Sequence, residues 1–176
     1  MNKVELDPAT GLLVCWRGPV LHAWVDYNGH LRDAFYMLLF SMGCDATMEY
    51  LGLDEAGRAA TGHSTFTLEA HTNFLLEVRE GAAVEVRMQL LAADAKRIHG
   101  FLSLHPQGRQ PMLACSEQMW LNMDMAVRRS APYAASVLPR VVALAARHGN
   151  LPVSKYVGRL IGLPGAAASS HGATAS

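Results

Sequence analysis

WVDYNGHLRDAFYMLLF, residues 24 to 40, opens as a short apolar strand, breaks at a polar turn from Asp26 to His30, and continues into a run too apolar for an ordinary surface helix. From Leu31 to about Leu51 apolar residues recur at helical spacing (Leu31, Ala34, Phe35, Leu38, Leu39, Met42, Ala46), and Tyr36, Met37 and Phe40 fill the other side of the first half. A helix apolar nearly all round has to be enclosed by protein or by lipid. Arg32, Asp33, Asp45 and Glu49 argue against lipid, because they interrupt the run well short of the roughly 18 uncharged residues a membrane span needs. The stretch therefore predicts a buried central helix. Its N-terminus follows directly on a turn carrying Asp26, Asn28 and His30, and that junction is where chemistry is expected.

Outward from the helix, Val20 to Val25 reads as the first full strand, preceded by a lead-in strand near Leu12 to Trp16, and Gly57 to Gly62 reads as a loop. From Ser64 to Leu76 the period changes to two, with Phe66, Leu68, Ala70, Thr72 and Phe74 on one face and Thr65, Thr67, Glu69, His71 and Asn73 on the other. Val84 to Leu90, Arg97 to His105 and Met112 to Met123 follow with connections short enough only for hairpins, completing a four-strand meander. The central helix is the one element long and apolar enough to cover such a sheet. The fold class is α+β: a curled antiparallel sheet wrapped around one long helix. A second helix is expected over Ser136 to His148, with Ser136 as N-cap, Pro139 in the first turn and Gly149 at the end. Residues 1–125 thus form the main domain, 126–164 a basic extension with one packed helix, and 165–176 a disordered tail of Gly, Ala, Ser and Thr.

With 176 residues and a formal net charge of zero, the composition is that of a globular protein of one domain, without the excess charge of a nucleic-acid binder. The balance is uneven, because every acidic residue lies at or before Asp124 while Arg128, Arg129, Arg140, Arg147, Lys155 and Arg159 follow it. That segment suits contact with an anion, or with the acidic body of the same protein or of a partner subunit. Cys15, Cys44 and Cys115 form no CxxC pair and read as reduced thiols. With no signal-peptide pattern and no membrane span, the expected location is the cytoplasm.

Asp26-Tyr27-Asn28-Gly29-His30, with Tyr36 six residues further on, resembles the DxxGHxNNxxY motif of hotdog-fold acyl-CoA thioesterases of the 4-hydroxybenzoyl-CoA thioesterase type. The wider set of Asp26 to His30, Phe66 to His71 and Lys96 to His99 is most similar to the thioesterases of carnitine breakdown, which cleave betainyl-CoA. The similarity in element order runs from about Val20 to Met123. One departure is plain: Arg32-Asp33 stands where the motif has Asn-Asn. The resemblance implies a hotdog fold and hydrolysis of an acyl-CoA, with coenzyme A as part of the substrate and no separate cofactor. It places the oxyanion donor at the backbone of Asp33. Open sheet edges would pair between subunits in a homodimer or dimer of dimers.

Thioester hydrolysis needs an activated water or a carboxylate nucleophile, and donors for the carbonyl oxygen as it gains charge. Asp26 can be the base or nucleophile, and the first-turn amides of the helix can be the donors. Read without the family, the same turn is an Asx turn in which Asp26 and Asn28 only cap backbone groups. His30 either orients the turn or touches substrate, and Gly29 supplies a backbone conformation closed to other residues. Glu69 and His71, two apart on one strand face, are candidates for a second polar wall, Glu69 as base or counter-charge to a cationic acyl group. Two ligands on one strand do not make a metal site. A quaternary ammonium would be held by aromatic faces, with Trp24, Tyr27, Tyr36, Phe66, Phe74 and Trp120 available, and Arg128, Arg129, Lys155 and Arg159 are candidates for the CoA phosphates. The competing functions are a non-catalytic acyl-CoA binding or sensing module on the same fold and a hotdog dehydratase or hydratase.

Overall fold

The computed structural model describes residues 4–163, so the tail expected to be disordered from Gly165 lies outside the described residues. The elements run β1 (Glu5–Leu6), β2 (Leu13–Pro19), α1 (Asp33–Leu51), α2 (Glu55–Thr61), β3 (His63–Phe74), β4 (Ala83–Ala93), β5 (Arg97–Pro106), β6 (Ala114–Asp124), β7 (Arg129–Ser130) and α3 (Leu138–His148). One antiparallel sheet has the order β1-β2-β4-β5-β6-β3, with β7 also on β6, and α1 packs across it. This is the α+β arrangement of sheet and central helix that the sequence predicts. Among the described residues no helix is long and apolar enough to cross a membrane.

The core forms where the alternation of β4 and β5 meets α1. Val84, Val86, Met88, Leu102 and Leu104 are buried against Leu39, Phe40, Met48 and Leu51. Gly43 sets how closely the helix approaches, since a Cβ there would lie 2.7 Å from Val86 Cγ1 and 3.2 Å from Leu102 Cδ2. The β4–β5 turn is fixed by Asp94, whose Oδ1 accepts the N–H groups of Lys96 and Arg97 at 2.7 Å each.

Several expectations need correction. The lead-in strand expected near Leu12 to Trp16 is β2, Leu13–Pro19, but the strand expected over Val20 to Val25 does not form; His22–Trp24 is a 3-10 turn. The burial explains it: Val20, Trp24 and Val25 are inside while Leu21, His22 and Ala23 are exposed, which is not a strand period. The loop expected over Gly57 to Gly62 is helix α2, capped by the Asp54 side chain accepting from Gly57 N at 2.8 Å. Helix α3 begins at Leu138 behind Val137, not with Ser136 as its cap. α1 starts at Asp33, and it is enclosed by its own chain on one side only, with Ala34, Leu38, Ser41 and Asp45 left exposed.

The meander is also rearranged. β3 pairs with β6 on the far side of the sheet, whereas β2 takes the flank of β4. Residues 75–82 therefore cross over instead of making a hairpin, and the crossover is tied to the start of α1: Leu31 N donates to Val78 O at 2.8 Å. Within β3 the register shifts between Thr67 and Glu69, a β-bulge at Leu68 that reverses which residues face the helix. Before the bulge Thr65 reaches the α1 residue Met48, and after it Thr72 reaches Met37. The expected simple alternation from Ser64 to Leu76 does not hold, and Phe66, Leu68 and Phe74 stay exposed.

Candidate active site

The Asp26 turn is a closed structure. Asp26 N donates to His30 O at 2.9 Å and Gly29 N to Asp26 O at 3.0 Å, with Gly29 at φ 75°, so a residue with a Cβ would be strained there. The Asp26 carboxylate accepts through Oδ1 from Asn28 N at 2.8 Å and His30 N at 3.0 Å. The His30 amide, then that of Asn28, favours the charged form and holds the carboxyl below the ordinary Asp range. Asp26 is thus an oriented anion. Arg32 ties the turn to the helix, its N–H donating to Trp24 O and its Nε to Val25 O, each at 3.0 Å. The next residue, Asp33, opens α1, where backbone amides lack intrahelical acceptors. Its own Oδ1 accepts from Ala34 N at 2.8 Å.

Beside this helix start is an open groove of about 310 Å³ between α1 and the crossover, bordered by Leu31, Asp33, Tyr36, Phe74, Leu76 and Glu77. Tyr36 OH donates to Leu76 O at 3.4 Å, and the Tyr36 and Phe74 rings meet edge to face at 5.2 Å. Burial raises the Tyr36 phenol above its usual range, so it stays a donor. His30 Nε2 lies 3.4 Å from Glu77 Oε2 without hydrogen-bond alignment. Glu77 and Leu76 are residues the sequence did not single out; they follow the end of β3 without any motif, and only the crossover delivers them to α1.

The other candidates are distributed as follows. Asp26, Asn28, Gly29 and His30 share one hydrogen-bonded turn, Asp33 and Tyr36 border the groove, and His30 approaches Glu77 on the groove's rim. Tyr27 is 96% exposed at the tip of the turn. Glu69 and His71 lie on the sheet face away from α1, lining a separate cleft of about 580 Å³ with His99, Glu117 and Arg159. There Glu117 binds His99 Nε2 at 2.7 Å and the Gly158 amide at 2.6 Å, docking the C-terminal segment. Arg128 and Arg129 are exposed beside the end of β6 that pairs with the start of β3. That is a strand's length, roughly 35 Å, from the Phe74 end where the groove lies. Trp24 is buried and stacked on Phe35, Trp120 is buried beneath the sheet at Gly100, and Lys155 sits over the Tyr156 ring. No group of three or more His, Cys, Asp or Glu among the described residues is placed to hold a metal ion.

An ionised, fixed carboxylate beside a helix N-terminus with an adjoining apolar groove can attack, or activate water against, a carbonyl whose oxygen faces the helix amides. Comparison with known proteins points the same way. Residues 20–141 match the thioesterase-like superfamily. The chain is 56% identical over 153 residues to a betainyl-CoA thioesterase of Pseudomonas aeruginosa, covering 87% of this chain and 96% of that protein. It is 38% identical to an L-carnitine dehydrogenase/betainyl-CoA thioesterase of Rhizobium meliloti, covering 80% of this chain and 28% of that longer protein. A Staphylococcus aureus protein solved in complex with CoA superposes with a TM-score of 0.80 at 26% identity, over 85% of this chain and 94% of that one.

Proposed function

The chain belongs to the thioesterase-like superfamily, and from that premise we propose that it hydrolyses betainyl-CoA to betaine and coenzyme A, with Asp26 as base or nucleophile. It is an acyl-CoA thioesterase. The observation that supports Asp26 is its carboxylate, pinned by two backbone amides one turn before α1. On the general-base route Asp26 takes a proton from water, the oxygen adds to the thioester carbonyl, and the C–S bond breaks. The CoA thiolate then leaves and is protonated. On the nucleophilic route Asp26 displaces the thiolate to give an anhydride, which water hydrolyses. In both, the helix-start amides at Asp33 face the growing oxyanion. No cofactor enters, because coenzyme A arrives with the substrate. The buried thiols of Cys15, Cys44 and Cys115 support a cytoplasmic location.

Release of free thiol across a panel of acyl-CoAs tests the substrate. Betainyl-CoA is expected to give a kcat/KM at least roughly tenfold above short neutral acyl groups. Equal rates would remove the substrate assignment, and no release from any ester would leave a binding module.

The site of one chain is open on the exposed side of α1, and among the described residues β3 ladders only with β6. A second copy pairing along the free edge of β3, where Phe66 and Leu68 are 41% and 52% exposed, would make the enzyme a homodimer. Leu68→Lys is expected to shift light scattering from dimer to monomer, raising Kd by about tenfold or more. An unchanged mass would place the interface elsewhere.

A further inference from the structure

In a betainyl thioester the ammonium nitrogen is two bonds from the carbonyl carbon. Whatever recognises the positive charge must therefore stand at the mouth of α1, within reach of the group that attacks. A quaternary nitrogen has no N–H to donate, so recognition comes down to a carboxylate for the charge and ring faces for the methyl groups. Glu69, the counter-charge suggested by sequence, is on the opposite face of the sheet.

Three carboxylates are near the helix start. Asp26 is fixed by two amides and is the attacking group of the proposed mechanism. Asp33 spends Oδ1 on the Ala34 amide at 2.8 Å. Glu77 is different: its side chain is 79% exposed, and it contacts His30 Nε2 at 3.4 Å without hydrogen-bond alignment. It borders the same groove as the Tyr36–Phe74 pair, whose rings meet edge to face at 76°, with Tyr36 only 5% exposed. Phe74 is 53% exposed, which leaves a face open to a ligand, while the hydroxyl of Tyr36 is tethered to Leu76.

We propose that Glu77 is the residue that makes the enzyme specific for a cationic acyl group, its carboxylate facing the quaternary ammonium while the exposed Phe74 ring, held by Tyr36, packs on the methyl groups. The assignment rests on the betainyl-CoA reading above. His30, on the Asp26 turn, is the residue that lies nearest both groups, 3.4 Å from Glu77 and bonded through its amide to Asp26.

The experiment compares betainyl-CoA with 3,3-dimethylbutyryl-CoA, in which a quaternary carbon replaces the nitrogen, so shape is kept and charge removed. Wild type, Glu77→Gln and Glu77→Asp are assayed for thiol release, with melting temperatures confirming that each is folded. Glu77→Gln is expected to lower kcat/KM for betainyl-CoA about tenfold, chiefly through KM, and to leave the neutral ester unchanged. Glu77→Asp keeps most of the preference. If Glu77→Gln affects both esters alike, or neither, the assignment of Glu77 is wrong. A wild-type enzyme that already hydrolyses the neutral ester as well as betainyl-CoA would overturn the substrate reading itself, a result visible before any variant is assayed.

Discussion

Asp26→Asn is expected to lower kcat for an acyl-CoA by about 10²- to 10⁴-fold while the melting temperature stays where it was. The substitution isolates charge from architecture. An Asn side-chain oxygen can still accept the Asn28 and His30 amides, so the turn, the Gly29 conformation and the start of α1 are kept. What disappears is the anion that the proposed mechanism uses to attack the carbonyl or take the proton from water. The pH profile gives a second check. Since the backbone amides hold Asp26 ionised below the usual 3.8, any acid limb it causes lies below that value. Between pH 8 and 5 the wild-type rate should show no loss traceable to this carboxyl. Near-normal turnover of folded Asp26→Asn would move the chemistry away from the turn. Solvent oxygen in the Asp26 side chain after one turnover in labelled water would show the nucleophilic route, with water opening the anhydride at the Asp26 carbonyl.

The Asp26 turn and the central helix were legible in sequence because their signals are local: a polar break, a glycine, and an apolar run at helical spacing. The hairpins from β4 to β6 were legible for the same reason. The groove was not. It exists because the crossover after β3 returns to α1, pinned by Leu31 N to Val78 O, and no local pattern says whether eight residues make a hairpin or a crossover. One inserted residue at Leu68 had a further effect. The bulge keeps Glu69 and His71 on the face away from α1, where they line the cleft with Glu117. Without the bulge, the face that carries Thr65 and Thr67 would have brought them to the helix. A period-two reading has no means of detecting that shift, since the composition on either side of Leu68 looks the same.

Glu85→Gln is expected to destabilise the fold by about 3–5 kcal/mol, measured by denaturant unfolding at neutral pH. In sequence Glu85 and Arg87 are the polar half of an alternating strand, yet they are only 2% and 4% exposed. Glu85 lies between two guanidinium groups, Oε2 accepting from Arg17 Nε at 3.0 Å and Oε1 from Arg87 Nε at 2.8 Å. Gln fills the same space but removes the anion, leaving the Arg87 charge buried without its counter-ion. Replacing both partners, as in Glu85→Leu with Arg87→Met, should cost far less, since no unpaired charge remains. Acidity separates Glu85 from its neighbour His105, which stands directly opposite in the ladder. Burial, followed by the Arg87 charge, holds His105 down to about 4. The unfolded chain therefore takes up that proton first, and stability falls as pH drops from 6.5 to about 4. Burial pushes Glu85 up, but its bonds to Arg17 and Arg87 outweigh that and hold it below 4.5, so its contribution is lost only at still lower pH. In Glu85→Gln the part of the loss below 4.5 that Glu85 causes should vanish, while the His105 window persists and widens, because Glu85 no longer favours the imidazolium. A variant whose acid limb matches wild type throughout would mean that the Glu85 carboxylate contributes nothing to the stability of this sheet.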